Sequence, residues 1–182
     1  RQVQFDKVAK WKTPLLKKAF DNFRQNEFHK FEGAYRAFVD EHNWWLADYA
    51  LFMALRTHLE DNVWQKWPDG LKRRDPSVMS EYREKLATEI AFHEFQQFCF
   101  FSQWGKLRTY AREKNVRIIG DVPLYVGGNS VDVWANPGIF YLDADLNPLK
   151  VAGVPPDYFS ATGQLWGTPV FNWDSLKNQE YH

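Results

Sequence analysis

The sequence predicts an α/β protein in which an all-α subdomain precedes a segment that turns from helix to strand. Three observations carry this. Apolar residues recur at helical spacing through residues 1–75, and again from 76 to about 115. Directly after that second run, the β-branched Val116, Ile118 and Ile119 lead into Gly120 and Asp121, a buried-strand pattern. The rest of the chain is punctuated by proline and glycine, with short extended runs between turns. The expected organisation is therefore a helical subdomain over 1–75 and an α/β segment over 76–182.

Taken in order, Thr13-Pro14 predicts a helix start, a capping hydroxyl followed by a proline whose missing donor does no harm there. Leu15, Leu16, Ala19, Phe20 and Phe23 continue that helix. Phe31, Tyr35, Phe38 and Val39 mark a second. Asn43 is placed to cap a third, with Trp45, Tyr49, Phe52 and Met53 near one stripe. Trp64 to Gly70 breaks the pattern with turn residues, and at these spacings the aromatics of this half read as core. Asp75-Pro76 restarts helix. The following periodicity is longer than a usual globular helix, which predicts a break near Ala87 to Ala91 or curvature near Gly105. A strand over 116–126 comes next. Ile139 to Leu142 and Leu149 to Ala152 then flank Asp143 to Pro148, predicting a hairpin over 139–152 with an acidic turn. Asp143 and Asp145 are explained by an exposed turn more simply than by calcium.

Composition narrows the function classes. Among 182 residues, Lys plus Arg and Asp plus Glu number 23 each, so no global field favours nucleic acid or an anionic membrane. Lys72, Arg73 and Arg74 form the densest basic cluster, expected as a solvated loop. The longest apolar run, Tyr49 to Leu55, is far short of the roughly 20 residues that span a bilayer. The single cysteine, Cys99, leaves no internal disulfide and suits a reducing compartment as a small buried hydrophobe. With no signal-peptide pattern, a cytoplasmic location is expected. His93-Glu94 opens an HExxH pattern, but Gln97 stands where the second histidine belongs. His29, His42, His58, His93 and His182 are scattered, so no metal site is expected. Gly127-Gly128-Asn129-Ser130 has neither phosphate-loop nor dinucleotide spacing, and Ser160 lies in no nucleophile elbow; no cofactor is expected.

Two places stand out as candidate sites. In parallel α/β architectures, polar residues at the carboxyl ends of strands point into the ligand site, which singles out Asp121. The second is the loop 153–169, where no helix or strand period fits. Pro155 and Pro156 lack backbone donors, and Gly153, Gly163 and Gly167 admit unusual backbone angles. Long ordered loops without structure of their own are more often functional than not. This one displays Tyr158, Phe159 and Trp166 among Asp157, Ser160, Thr162 and Gln164. Flat aromatic faces beside amides and hydroxyls suit a sugar ring. Equally, Tyr158 and Phe159 read as pins that fasten the loop to the core.

The segments IGDVPLYV (119–126), SVDVWANP (130–137) and VAGVPPDYFSATGQLWG (151–167) together resemble the 4-α-glucanotransferase family, also called amylomaltase or disproportionating enzyme, glycoside hydrolase family 77. The resemblance is strongest over 116–173 and extends more loosely to WWLADYALFMALR (44–56) and WQKWPDGLKRRD (64–75). Thr168 and Val170 depart from the family pattern. The resemblance implies a partial TIM (β/α)8 barrel segment preceded by the all-α subdomain, and an enzyme that transfers α-1,4-glucan segments between maltodextrins through a covalent intermediate. It implies substrate-binding roles for Asp121, Asp157, Tyr158, Phe159, Gln164 and Trp166. Tyr158 and Phe159 would form the tip of a mobile loop over the acceptor subsites, with Gln164 and Trp166 lining the cleft near cleavage. Asp132 and Trp134 would brace the barrel top.

Retaining glycosidases and their transferring relatives need two carboxyl groups about 5–5.5 Å apart. The family's nucleophile aspartate, in an Arg-Ile-Asp-His type motif, and its acid/base glutamate lie in motifs that do not occur here, so no catalytic residue is assigned. The chain is expected to be an internal piece of a longer enzyme, inactive alone, with α-1,4-glucan as its ligand and uncovered barrel edges as a route to self-association. The alternatives are a non-catalytic α-glucan-binding module and a helical interaction protein with incidental aromatics, the second leaving the 116–173 motifs unexplained.

Overall fold

The computed structural model describes residues 2–181; Arg1 and the His182 of the histidine survey lie outside the described residues. It is mostly helical, with one small two-stranded sheet. The chain forms two compact units, each discontinuous in sequence: residues up to Ala54 with Arg83–Ile119, and Leu55–Tyr82 with the residues from Gly120 onward. Each unit takes residues from both sides of position 75, where the sequence reading expects its division.

In the first unit, α1 (Phe5–Asn22) and α2 (Phe28–Leu59, which runs on beyond Ala54) flank a π-helical turn over Phe23–Glu27, and α5 (Ala87–Glu113) packs on them. The start expected at Thr13-Pro14 is corrected: Pro14 lies inside α1. Proline there removes the bond to the carbonyl of Lys10, an exposed residue whose carbonyl water can satisfy. The cap expected at Asn43 is also overruled, because α2 runs through it; weak intrinsic preference yields to the packing of Leu46, Ala50 and Leu51 on the buried side. Phe20 and Phe23 of the first helical stretch meet Phe92 and Phe95 of α5, with Leu16, Phe28, Tyr35 and Cys99 against them. The Phe23 and Phe95 rings are 4.8 Å apart, and Phe23 meets Phe28 edge to face at 5.6 Å. The extra residue of the π turn is what lets Phe23 and Phe28 face each other across the change of helix. Burial raises the Cys99 thiol pKa, as suits a packing residue.

The helix break falls at Leu86, one residue before the expected window, separating α4 (Pro76–Lys85) from α5; α5 passes Gly105 without interruption. α4 starts at Pro76, where the sequence predicts that helix restarts, and Asp75 caps it. Its Oδ1 accepts from the backbone N–H of Ser77 at 3.0 Å and Val78 at 3.3 Å and from Ser77 Oγ at 2.6 Å, while Pro76 takes the first helical position.

The second unit is held by tryptophans. Trp64 and Trp134 are completely buried, and each indole N–H is satisfied by a distant carbonyl: Trp64 Nε1 donates to Gly128 O at 2.8 Å, Trp134 Nε1 to Leu71 O at 3.0 Å. Trp67 meets Trp134 edge to face at 5.9 Å, and the Arg74 guanidinium lies 4.3 Å from the Trp134 ring centroid. The basic cluster is therefore not a merely solvated loop. Arg73 donates to Ala144 O at 2.9 Å, and Lys72 pairs with Asp69 at 3.4 Å. Trp64–Lys66 forms a 3-10 turn, followed by the short α3 (Asp69–Lys72). Later come α6 (Val131–Ala135), capped by Ser130, a 3-10 turn at Pro137–Ile139, and α7 (Trp173–Asn178).

The sheet consists of β1 (Val151–Val154) and β2 (Gln164–Pro169), antiparallel, with Gly153 opposite Leu165, Val154 opposite Gln164 and an irregularity after Val151. Two sequence expectations change here. The hairpin placed over 139–152 is reduced to a single bridge, Leu142 with Pro148, closing the acidic turn; the main pairing instead joins β1 to the far side of the loop. In that turn Asp143 Oδ1 accepts from the N–H of Asp145 and of Asn147, both at 2.9 Å, so the carboxylate is committed to backbone. The strand expected over 116–126 is not formed, and Val116, Ile118, Ile119, Val122 and Leu124 are exposed. β-branched composition supplies the propensity, but a strand exists only when a neighbour completes its ladder, and among the described residues none lies beside it.

Candidate functional site

The loop 153–169 is built as a hairpin tip. Its ends belong to β1 and β2, leaving Pro155 to Gly163 as the connection. Two glycines fix the geometry. Gly163 has φ +73°, and a Cβ there would stand 2.6 Å from Val154 O; a Cβ on Gly153 would stand 2.6 Å from Gln164 O. Asp157 organises the tip: its Oδ1 accepts from Phe159 N at 2.9 Å and Ser160 N at 2.8 Å, while its own N–H donates to Ser160 O at 2.9 Å. Ser160 Oγ donates to Gly163 O at 2.8 Å. Asp157 and Ser160 thus shape the loop.

That scaffold presents Tyr158 and Phe159 outward, 97% and 89% exposed, their rings edge to face at 5.6 Å. They do not pin the loop to the core. Two adjacent aromatic rings facing solvent on a hydrogen-bonded turn form an exposed apolar patch. Behind the tip, Trp166 Nε1 donates to Gln164 Oε1 at 3.1 Å, which orients both side chains. The Trp166 ring, about half exposed, meets Tyr125 at 5.8 Å and 62°. Tyr125 was missed from the sequence, although an aromatic ending the 119–126 run was the available signal.

The structure therefore brings Gln164, Trp166 and Tyr125 together and places Asp157, Tyr158 and Phe159 on the neighbouring tip. Asp121 is exposed; its Oδ1 accepts from Val122 N at 2.9 Å, and among the described residues it has no hydrogen bond to the loop. Next to Trp166, Gly167 borders a polar cleft of about 630 Å³ into which Gln65, Lys66, Lys72, Asn129 and Asn147 contribute. Gln65 Oε1 is buried there without a hydrogen-bond partner among the described residues. Amide, ammonium and carbonyl groups around such a cleft can exchange hydrogen bonds with hydroxyls.

The remaining sequence candidates have structural uses. His93 Nδ1 lies 3.0 Å from Gln96 Oε1, and Tyr35 donates its hydroxyl to Glu94 Oε2 at 2.8 Å. Burial lowers the pKa of His93 and raises those of Glu94 and Tyr35. Among the described residues no three His, Cys, Asp or Glu side chains gather as a metal site, and no helix is long and apolar enough to cross a membrane.

Comparison with known proteins finds relatives over the whole chain. A family model described as 4-alpha-glucanotransferase (Glyco_hydro_77) matches residues 1–182. A 4-alpha-glucanotransferase of Aquifex aeolicus is 48% identical over 180 residues, covering 99% of this chain and 36% of the relative; that of Thermus thermophilus is 44% identical with the same coverage. The solved amylomaltase from Streptococcus agalactiae in complex with acarbose superposes with a TM-score of 0.90 at 40% identity, over 98% of this chain and 36% of that one. The chain thus spans about 36% of the length of these relatives. With the match running through the exposed aromatic hairpin and the Trp166 shelf alike, the chain belongs to the glycoside hydrolase family 77 of 4-α-glucanotransferases, a family of enzymes.

Proposed function

We propose that this chain supplies the glucan-holding hairpin of a 4-α-glucanotransferase and has no transferase activity by itself. The observation that carries the reading is the outward pair Tyr158 and Phe159, fixed by Asp157 and standing beside the Gln164 and Trp166 shelf. Pyranose rings present apolar C–H faces that stack on aromatic faces, while Gln164, Asp157 and Asp121 offer acceptors for their hydroxyls. Transfer outcompetes hydrolysis when an acceptor sugar fills its subsites and keeps water away, a matter of positioning and desolvation. An aromatic tip that closes over the acceptor serves that end.

The relatives' greater length supports placing this chain within a larger barrel enzyme, whose other parts provide the two catalytic carboxyl groups. In that setting the exposed run Val116 to Asp121 becomes a barrel strand that ends in the carboxylate, and the helices of 1–75 form the accompanying subdomain. The acarbose in the Streptococcus agalactiae complex supports an oligosaccharide ligand for this fold. The test is maltotriose disproportionation. The chain alone releases no glucose and makes no longer glucans. In the complete enzyme that carries it, Tyr158→Ala and Phe159→Ala raise free glucose relative to transfer products; an unchanged ratio rejects the acceptor role.

A further inference from the structure

We infer that Tyr125 is a positioning residue: it sets the plane of Trp166 and, through Trp166, the direction in which Gln164 meets a glucan. This role rests on the glucan-holding reading of the hairpin and names what keeps its stacking surface in place. The Tyr125 and Trp166 rings meet at 5.8 Å and 62°. A tilted aromatic pair of this kind prefers one mutual orientation, beyond the gain from the area it covers. Tyr125 covers part of the indole, and Trp166 stays 48% exposed, so the rest of its surface is open to a ligand.

The edge of the indole is fixed as well. Trp166 Nε1 can only donate, so its 3.1 Å bond to Gln164 decides the orientation of the amide. Oε1 faces the indole, and Nε2 is left to donate to a sugar oxygen. Ring plane and amide direction are therefore set together. If the indole swings, the amide loses its bond or follows it. Tyr125 is the contact that opposes that swing.

Tyr125 can do so because the chain just after it is tied to the interior of the second unit. Ser130 N–H closes a turn onto Gly127 O at 3.1 Å, and Ser130 then caps α6, whose Trp134 is completely buried. Gly128 O accepts from Nε1 of the buried Trp64 at 2.8 Å. A Cβ on Gly128 would stand 3.9 Å from Pro169 Cδ, which puts this turn against the end of β2. From the other side, Trp166 is carried by β2, where Gln164 and Leu165 pair with Val154 and Gly153 of β1. All of these contacts are made inside the second unit. A stacking surface held from two sides keeps one geometry for its ligand.

Maltotriose disproportionation by the complete enzyme that carries this chain tests this through KM and kcat. Tyr125→Ala is expected to raise KM about fivefold with kcat within about twofold, because a loosened stacking surface weakens substrate and transition state alike. Tyr125→Phe keeps the ring and restores KM. Trp166→Ala raises KM about tenfold or more, and adding Tyr125→Ala to it raises KM no further, since the indole to be placed is gone. Circular dichroism checks that each variant keeps its helix content. A parental KM in Tyr125→Ala beside a raised KM in Trp166→Ala overturns the positioning role and leaves the hairpin's role standing. A parental KM in Trp166→Ala overturns both. Equal losses in Tyr125→Phe and Tyr125→Ala, or additive losses in the double variant, mean that Tyr125 acts by its hydroxyl or on the sugar directly, and these too overturn the positioning role.

Discussion

Three glycines in the hairpin allow its geometry to be taken apart term by term. Gly167 has φ +72° and open space where a Cβ would go, so Gly167→Ala meets only the left-handed backbone penalty, about 1–2 kcal/mol. Gly153 has no left-handed φ, but a Cβ would stand 2.6 Å from the backbone oxygen of Gln164. Because that atom belongs to the β1–β2 ladder and not to a flexible side chain, Gly153→Ala must part the strands, a cost of about 1–3 kcal/mol. Gly163 combines both, with φ +73° and contacts of 2.6 Å to Val154 O and 3.0 Å to the carbonyl carbon of Pro155. Gly163→Ala is therefore expected to cost about 2–5 kcal/mol, near the sum of the other two. Amide hydrogen exchange at Val154 and Leu165, with urea unfolding of each variant, measures it. If Gly163→Ala is no more destabilising than Gly167→Ala, the close approach of the strands at the loop base is not what shapes the tip.

Other consequences follow from the second unit's core and the first unit's buried charges. Trp134→Ala should lose about 3–5 kcal/mol by urea unfolding, and Trp134→Phe about 1–3 kcal/mol because Leu71 O is left without its indole donor; a loss under about 1 kcal/mol for both would refute that bracing role. Burial raises the Glu94 pKa above its ordinary 4.5, so its contribution is full below that value and is lost as pH rises through the folded pKa. Glu94→Gln, which keeps an acceptor for the Tyr35 hydroxyl, should accordingly gain thermal stability relative to the parent at pH 7 compared with pH 4; the opposite trend contradicts the assignment. His93 works in reverse, since burial lowers its pKa below 6.5. Its contribution is complete above that value and is lost as pH falls through the folded pKa, so His93→Gln should flatten the loss of thermal stability on acidification from pH 7 to 5.

How much of this was legible in the sequence depended on whether the deciding interaction was local. The Asp75-Pro76 cap, the helix break beside Ala87 and the acidic turn at Asp143 are each settled by neighbours within a few residues, and the sequence reading placed them closely. Pro14 and Asn43 misled because they argue from local preference against helices held by distant aromatic packing. Residues 116–126 show the limit most clearly: β-branched side chains announce a strand, but pairing belongs to whatever lies alongside. At the candidate site, residue chemistry marked Tyr158, Phe159, Gln164 and Trp166, and the structure shows the first two outward and the last two hydrogen-bonded or stacked. The β1–β2 ladder was hidden because Gly153, Gly163 and Gly167 carry no side-chain period. The Trp64–Gly128 and Trp134–Leu71 bonds join residues more than sixty positions apart, where a single sequence gives no signal.

The glucan-holding role of the hairpin is tested most directly by following the tryptophan indole N–H resonances in a ¹⁵N-labelled sample as maltoheptaose is added. The Trp166 resonance, identified by Trp166→Phe, should shift saturably, those of buried Trp64 and Trp134 should stay in place, and Tyr158→Ala with Phe159→Ala should weaken the titration. A Trp166 resonance that never moves while sugar binds elsewhere would contradict the account.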